Sequence, residues 1–156
     1  MRAPRDITSQ DLYKSILKLR PGANPDASPV LACDDARIVR TILIVDDQAS
    51  FRSLARSMLE ADGYLVVGEA ADGITAIARA RSLKPDVVLL DVQLPDLDGF
   101  AVCEQLAGDP EPPPIVLTST RPVSSYRHRL RTSSARGFIA KSELTGSALA
   151  EFVDPV

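Results

Sequence analysis

Val87-Val88-Leu89-Leu90 is an apolar run with no polar alternate, closed by the carboxylate of Asp91 and followed by the turn-rich Gln93-Leu94-Pro95-Asp96-Leu97-Asp98-Gly99. Such a run predicts a strand buried on both faces, the pattern of a parallel sheet sandwiched between helices. Thr41-Ile42-Leu43-Ile44-Val45 has the same grammar and ends in Asp46-Asp47. Two buried strands thus bring three carboxylates to the carboxyl edge of one sheet, where ligands bind in open α/β folds. Acids held together repel one another, so the cluster calls for a cation, a shared proton or basic neighbours.

Between and after these strands the hydrophobic period changes from continuous to helical. Phe51, Leu54, Ala55, Met58 and Leu59 mark one helix face that Asp62-Gly63 ends. Tyr64 to Val67 reads as a second strand, and Asp72-Gly73 opens a helix whose buried face is Ala76, Ile77, Ala80 and Leu83. Pro85 then holds the chain extended into the next strand. Gly99 introduces a helix with Phe100, Cys103 and Leu106, ended by Gly108-Asp109-Pro110. Ile115-Val116-Leu117-Thr118 is a fourth strand, Val123, Tyr126 and Leu130 a weaker helix, and Gly137-Phe138-Ile139-Ala140 a fifth strand stopping at Lys141. Leu144, Ala148 and Phe152 give the last helix face. The sum is five βα units, an α/β fold in which each parallel crossover needs a covering helix.

Residues 1–37 have a different character, with Pro4, Pro21, Pro25 and Pro29 punctuating them. They are predicted to form an N-terminal extension, partly disordered or loosely docked, with one short helix over residues 9–20 from the spacing of Leu12, Ile16 and Leu19. Residues 38–156 are predicted to form the compact domain. Cys33 and Cys103 make no CxxC pair and follow no secretory leader, which points to two ordinary thiols in a reducing compartment. No apolar run approaches the roughly 18 to 20 residues that span a bilayer, so no membrane role is expected and the chain is read as cytoplasmic. The net charge is −3 although 14 of the 18 basic residues are Arg, which argues against a broad polyanion binder. Arg121, Arg127, Arg129, Arg131 and Arg136 are read as a solvated or partner-facing helix surface, without direct DNA binding, and His128 has no metal-ligand companions.

In chain order the strand ends offer Asp46 and Asp47, then Asp91, Thr118 and Lys141. These types suit phosphoryl transfer. Carboxylates, waters and phosphate oxygens make the octahedron that Mg2+ prefers, and a carboxylate can be a nucleophile that forms an acyl phosphate. An ammonium and a hydroxyl can hold the transferring phosphoryl oxygens. As plainer alternatives, Asp46-Asp47 can cap a helix, and Asp96 and Asp98 can be turn formers.

Ile42-Leu43-Ile44-Val45-Asp46-Asp47, Leu89-Leu90-Asp91 with Pro95 and Asp98-Gly99, Val116-Leu117-Thr118, and Gly137-Phe138-Ile139-Ala140-Lys141 resemble response-regulator receiver domains of the CheY-like type over about residues 40–153. The resemblance implies a flavodoxin-like (βα)5 doubly wound parallel sheet in the strand order 2-1-3-4-5; receivers are a stock example of that order. It implies that Asp91 is the phosphoacceptor, served by a histidine kinase or phosphotransfer protein. Asp46, Asp47, Asp91 and the Gln93 backbone carbonyl would hold Mg2+, with Asp47 favoured over Asp46 as direct ligand. Thr118 would be the switch hydroxyl, Phe138 the switch aromatic and Lys141 the site lysine. Phosphorylation would repack a surface from about Thr120 to Leu144 for a downstream protein partner or a second copy of the chain. Such a domain catalyses only its own phosphoryl transfer and slow hydrolysis.

One departure concerns Lys141, followed here by Ser142 where receivers usually have Pro. Lys-Ser-Glu-Leu resembles the variant in receivers of the helix-turn-helix transcription factors, but the 15 residues after Lys141 are too few for such an output domain. A stand-alone or truncated receiver is therefore expected. The rival expectations are a phosphorylation-independent interaction module and an Mg2+-dependent phosphohydrolase. The latter usually has a second acid two residues after its nucleophile, where this chain has Gln93.

Overall fold

The computed structural model describes residues 39–153. The expected helix over residues 9–20, the boundary near residue 37 and Cys33 lie outside the described residues.

The five apolar runs form β1 (Thr41–Val45), β2 (Leu65–Ala70), β3 (Val87–Asp91), β4 (Ile115–Ser119) and β5 (Gly137–Ala140). They pair in parallel in the order β2-β1-β3-β4-β5. Each strand is followed by a helix, α1 (Ala49–Ala61), α2 (Gly73–Leu83), α3 (Gly99–Ala107), α4 (Arg127–Thr132) and α5 (Gly146–Val153) in turn, with 3-10 turns at Val123–Tyr126 and Lys141–Glu143. Successive strand residues point to opposite faces, so each strand feeds two apolar layers. Leu43, Val45, Val88, Leu90 and Leu117 meet the inner faces of α2 and α3. Ile42, Ile44, Val87, Leu89, Val116 and Ile139 meet α1 and α5. Every residue of β3 and β4 is buried, which is why those runs show no polar alternation.

Several helix faces differ from the periodic reading. Leu54 is 58% and Leu83 36% exposed; α1 buries Ala55 and Leu59, and α2 buries Ala76, Ile77 and Ala80. Leu144 is buried just before α5, and Ala148 and Phe152 pack half-buried on the same core, but the buried residues of the helix are Gly146, Leu149 and Val153. The start of α5 is fixed from outside the helix: Gly146 N–H donates to Asp62 Oδ2 at 2.8 Å and its carbonyl accepts from the Tyr64 hydroxyl at 3.2 Å. These long-range bonds turn the helix onto a face that spacing alone does not reveal. Strand β2 also runs beyond Val67, because Gly68, Glu69 and Ala70 continue the pairing with β1. Glu69 is tolerated there because Arg52 Nε and Arg56 Nε donate to its carboxylate at 2.9 and 2.8 Å.

The parallel register places Val45 beside Leu90 and Asp91 beside Thr118, so the three central strands end together. The turn after β3 closes tightly, with Gly99 N–H donating to the Val92 carbonyl at 2.7 Å. A Cβ at Gly99 would lie 2.5 Å from the Asp91 carbonyl oxygen and 2.9 Å from Val92 Cα. Both obstacles are backbone and cannot rotate away. Gly99→Ala is therefore expected to lower stability by about 1–3 kcal/mol, the usual range for overpacking, read as a fall in urea midpoint. An unchanged midpoint would show that the turn has slack.

Candidate functional site

Asp46 continues the β1 ladder by donating its N–H to the Ala70 carbonyl at 3.0 Å, and its side chain is fully buried. Its Oδ1 accepts from Gln48 N–H at 2.8 Å, and its carbonyl accepts from Arg52 Nη1 at 2.6 Å. The N-cap of α1 is Gln48, which makes no side-chain bond; neither Asp46 nor Asp47 caps that helix. Asp47 is exposed beside it. Asp91, 4% exposed, accepts at Oδ1 from Gln93 N–H at 3.1 Å and at Oδ2 from Lys141 Nζ at 3.2 Å. Lys141 crosses from the end of β5 to join the two inner acids. Its Nζ also forms an ion pair with Asp46 Oδ2 at 2.5 Å and lies 4.5 Å from the centre of the Phe51 ring.

Asp46, Asp47 and Asp91 each offer an oxygen within 4.8 Å of the others. When ionised, three carboxylates against one ammonium leave two negative charges uncompensated, the deficit a divalent cation supplies, and oxygen donors suit a hard ion such as Mg2+. The electrostatics carry the mark of that crowding. Burial, reinforced by the Asp46 charge, pushes the Asp91 carboxyl up to about 6, against the opposing Gln93 N–H and Lys141. Burial lowers the Lys141 ammonium, but the Asp46 and Asp91 carboxylates outweigh it and hold its pKa above the ordinary lysine value.

Of the three consecutive hydroxyls after Leu117, only Thr118 Oγ1 is buried without a hydrogen-bond partner. The Ser119 hydroxyl shares a hydrogen bond with the Tyr126 hydroxyl at 3.1 Å and accepts from Arg121 N–H at 3.1 Å, and Thr120 is exposed. Phe138 is half-buried, its ring 5.7 Å from that of Tyr126, which lies 5.9 Å from that of Phe100. Gln93 is exposed in the loop after Asp91.

Four contributors escaped the sequence reading. Arg52 and Phe51 reach the cluster from the first turns of α1, and no spacing rule announces either. Asp98 is more than a turn former: it caps α3 through Ala101 N–H at 2.9 Å and accepts from Arg129 Nη2 at 2.5 Å. Arg129 in turn lies 4.2 Å over the Phe100 ring, so one member of the Arg series fastens α4 to α3. Arg121, Arg127, Arg131 and His128 are exposed.

Cys103 faces the core, 1% exposed, and burial pushes its thiol up to about 11. Because the thiolate is the reactive form, Cys103 is expected to resist a thiol-specific reagent at pH 8 in the folded protein and to react on unfolding in urea. Reaction in native buffer, followed by peptide mass, would contradict the packing of α3.

Residues 42–153 match the family described as the response regulator receiver domain. The chain belongs to that family. It is thus a signalling domain of the two-component type, and its five-stranded order is the flavodoxin-like order of solved receivers. The response regulator domain of Thermotoga maritima CheB aligns with a TM-score of 0.64 at 26% identity, covering 74% of this chain and 94% of that one. A LuxR-family two-component response regulator from Aurantimonas sp. SI85-9A1 aligns with a TM-score of 0.66 at 27% identity, covering 73% and 81%. The receiver is also 36% identical over 107 residues to the transcriptional regulatory protein PdtaR of Mycobacterium tuberculosis, covering 69% of this chain and 52% of that protein. Over 108 residues it is 39% identical to protein-glutamate methylesterase/protein-glutamine glutaminase 6 of Anaeromyxobacter dehalogenans, covering 69% and 31%. The receiver therefore spans about half or less of the curated relatives it matches. Among the described residues no helix is long and apolar enough to cross a membrane.

Proposed function

We propose that Asp91 accepts a phosphoryl group from the phosphohistidine of a histidine kinase or phosphotransfer protein, and that the transfer resets a protein-binding surface around α4 and β5. The observation that carries this reading is the setting of Asp91: a nearly buried carboxylate at the end of the central strand, with two further acids in reach and an ammonium 3.2 Å away. In the transfer an Asp91 carboxylate oxygen forms the bond to phosphorus while the bond from phosphorus to the donor imidazole nitrogen breaks. Asp46, Asp47, Asp91 and the Gln93 carbonyl would hold Mg2+, which when bound supplies positive charge for the phosphoryl oxygens. Lys141 contributes a second, fixed positive charge from the protein side. The free Thr118 hydroxyl donates to a phosphoryl oxygen, and its shift disturbs the adjoining Ser119–Tyr126 bond and the Phe138 packing. Residues 38–156 act as the receiver unit in the cytoplasm, with residues 1–37 as its extension.

Incubation with Mg2+ and acetyl phosphate is expected to add one phosphoryl group to the intact protein, removable by hydroxylamine and carried by the peptide containing Asp91. An adduct on another peptide would overturn the reading. A protein that binds Mg2+ yet takes no label from acetyl phosphate or from any phosphohistidine donor would favour a phosphorylation-independent interaction module.

A further inference from the structure

The loop of residues 92–98 carries the backbone away from Asp91, and its middle is tied to a different helix from the one it leads into. Asp96 Oδ1 accepts from Gly73 N–H at 2.7 Å and from Leu97 N–H at 2.8 Å, and Oδ2 accepts from Ile74 N–H at 2.9 Å. Gly73 and Ile74 are the first residues of α2, whose opening N–H groups have no partners within the helix. The helix already has its own cap, since the Asp72 side chain accepts from Thr75 N–H at 2.7 Å. Asp96 satisfies the two amides that Asp72 leaves, from 23 residues further along the chain.

Packing reinforces this tie. A Cβ on Gly73 would lie 3.0 Å from Leu97 Cβ and 3.2 Å from Asp96 Oδ1, so the absence of a side chain there lets the loop sit against the helix end. The Gly73 and Ile74 amides hold the Asp96 carboxyl below its ordinary range, keeping it charged where a helix N-terminus favours a negative group. The loop's other fastenings are at its ends: Gly99 N–H to the Val92 carbonyl at 2.7 Å, and Asp98 to Ala101 and Arg129. Among the described residues Asp96 makes the side-chain hydrogen bonds that tie the middle of the loop to α2, beside the apolar packing of Leu94 and Leu97.

We propose that Asp96 is a positioning residue of the phosphoryl-accepting site: by pinning the loop of residues 92–98 to α2 it fixes Gln93, whose amide orients the Asp91 carboxylate and whose carbonyl belongs to the cation set. This role rests on the function proposed above. It adds a residue that never touches the phosphoryl group.

Two caps on one helix end make the test clean. Asp72→Ala removes a bond to α2 without touching the loop, and Asp96→Ala removes bonds to α2 and releases the loop. Asp96→Ala is expected to speed hydrogen exchange at the Gln93 and Gly99 amides, neither of which bonds to Asp96, by about tenfold. It is also expected to slow labelling by acetyl phosphate and Mg2+ by about tenfold, since small misplacements of reacting groups have effects of that order or larger. Asp72→Ala should leave both at wild-type values, and Asp96→Asn, which keeps one carbonyl acceptor, should fall between. If Asp72→Ala changes both readings as much as Asp96→Ala, Asp96 is only a helix cap and the proposal is overturned; unchanged readings in Asp96→Ala overturn it as well. A wild type that takes no label from acetyl phosphate or from any phosphohistidine donor would instead sink the phosphoacceptor reading, and the exchange comparison would still decide whether Asp96 holds the loop.

Discussion

Asp91→Asn is expected to lose phosphoryl acceptance entirely and, in Mg2+-free buffer at pH 7, to unfold at higher urea than the wild type. The loss follows because an amide cannot form the acyl phosphate. The gain follows from the raised pKa. Asp91 rises from 3.8 to about 6 on folding, which at about 1.36 kcal/mol per pH unit disfavours its charged form in the fold by up to about 3 kcal/mol. The sign is set by which state holds the proton more tightly. Here the folded state does, so the stability linked to Asp91 is greatest below about pH 4 and is lost as pH rises through about 6. The difference between variant and wild type should therefore be small near pH 4, open between pH 4 and 6, and be full at pH 7. Added Mg2+ should narrow it by stabilising only the wild type. Urea midpoints for the two proteins that move in parallel across this range would refute the crowded-acid account.

Lys141→Met is expected to be the most damaging single change. It strips the ammonium from between Asp46 and Asp91 and from its place over the Phe51 ring. Asp46 is fully buried, and removing one partner of a buried ion pair typically costs about 3–5 kcal/mol, because the charge left behind has neither water nor a counterion. Labelling from acetyl phosphate should fall about 100-fold or more, the scale on which a fixed electrostatic donor acts in a transition state. Part of the stability loss should be recovered in the double variant Lys141→Met/Asp91→Asn, because the two sites share partners and their effects cannot add. A recovery no larger than the gain that Asp91→Asn gives on its own would mean that Lys141 does not hold these acids together.

The strand ends were legible because each depends on a local rule. A two-faced strand must be apolar throughout, so the first polar residue after the run marks the sheet edge, and this places Asp46, Asp91 and Lys141. Thr118, the first polar residue of its run, was placed by the same rule, although β4 continues through Ser119. What stayed hidden are partnerships between residues far apart in sequence. Arg52 with Glu69, Asp96 with α2, Asp98 with Arg129 and Gly146 with Asp62 are separated by 17 to 84 positions. No periodicity links such pairs. The same blindness put Leu54 and Leu83 inside: their spacing fits a helix face, but the width of that face is set by what the sheet presents to it. The last helix was read in part for a related reason: Leu144, Ala148 and Phe152 do pack on the core, but its most buried residues follow from a start that Asp62 and Tyr64 hold.

The order of strands in space also bears on how the protein is made. β1 is flanked by β2 and β3, yet about 40 residues separate the end of β1 from the start of β3. At about 5–20 residues per second of synthesis, the edge of β1 that β3 covers waits roughly 2–8 seconds for its partner to be made. A chain cut short before Val87 therefore has no strand to cover the backbone groups that Ile42 to Val45 pair with β3 in the finished sheet.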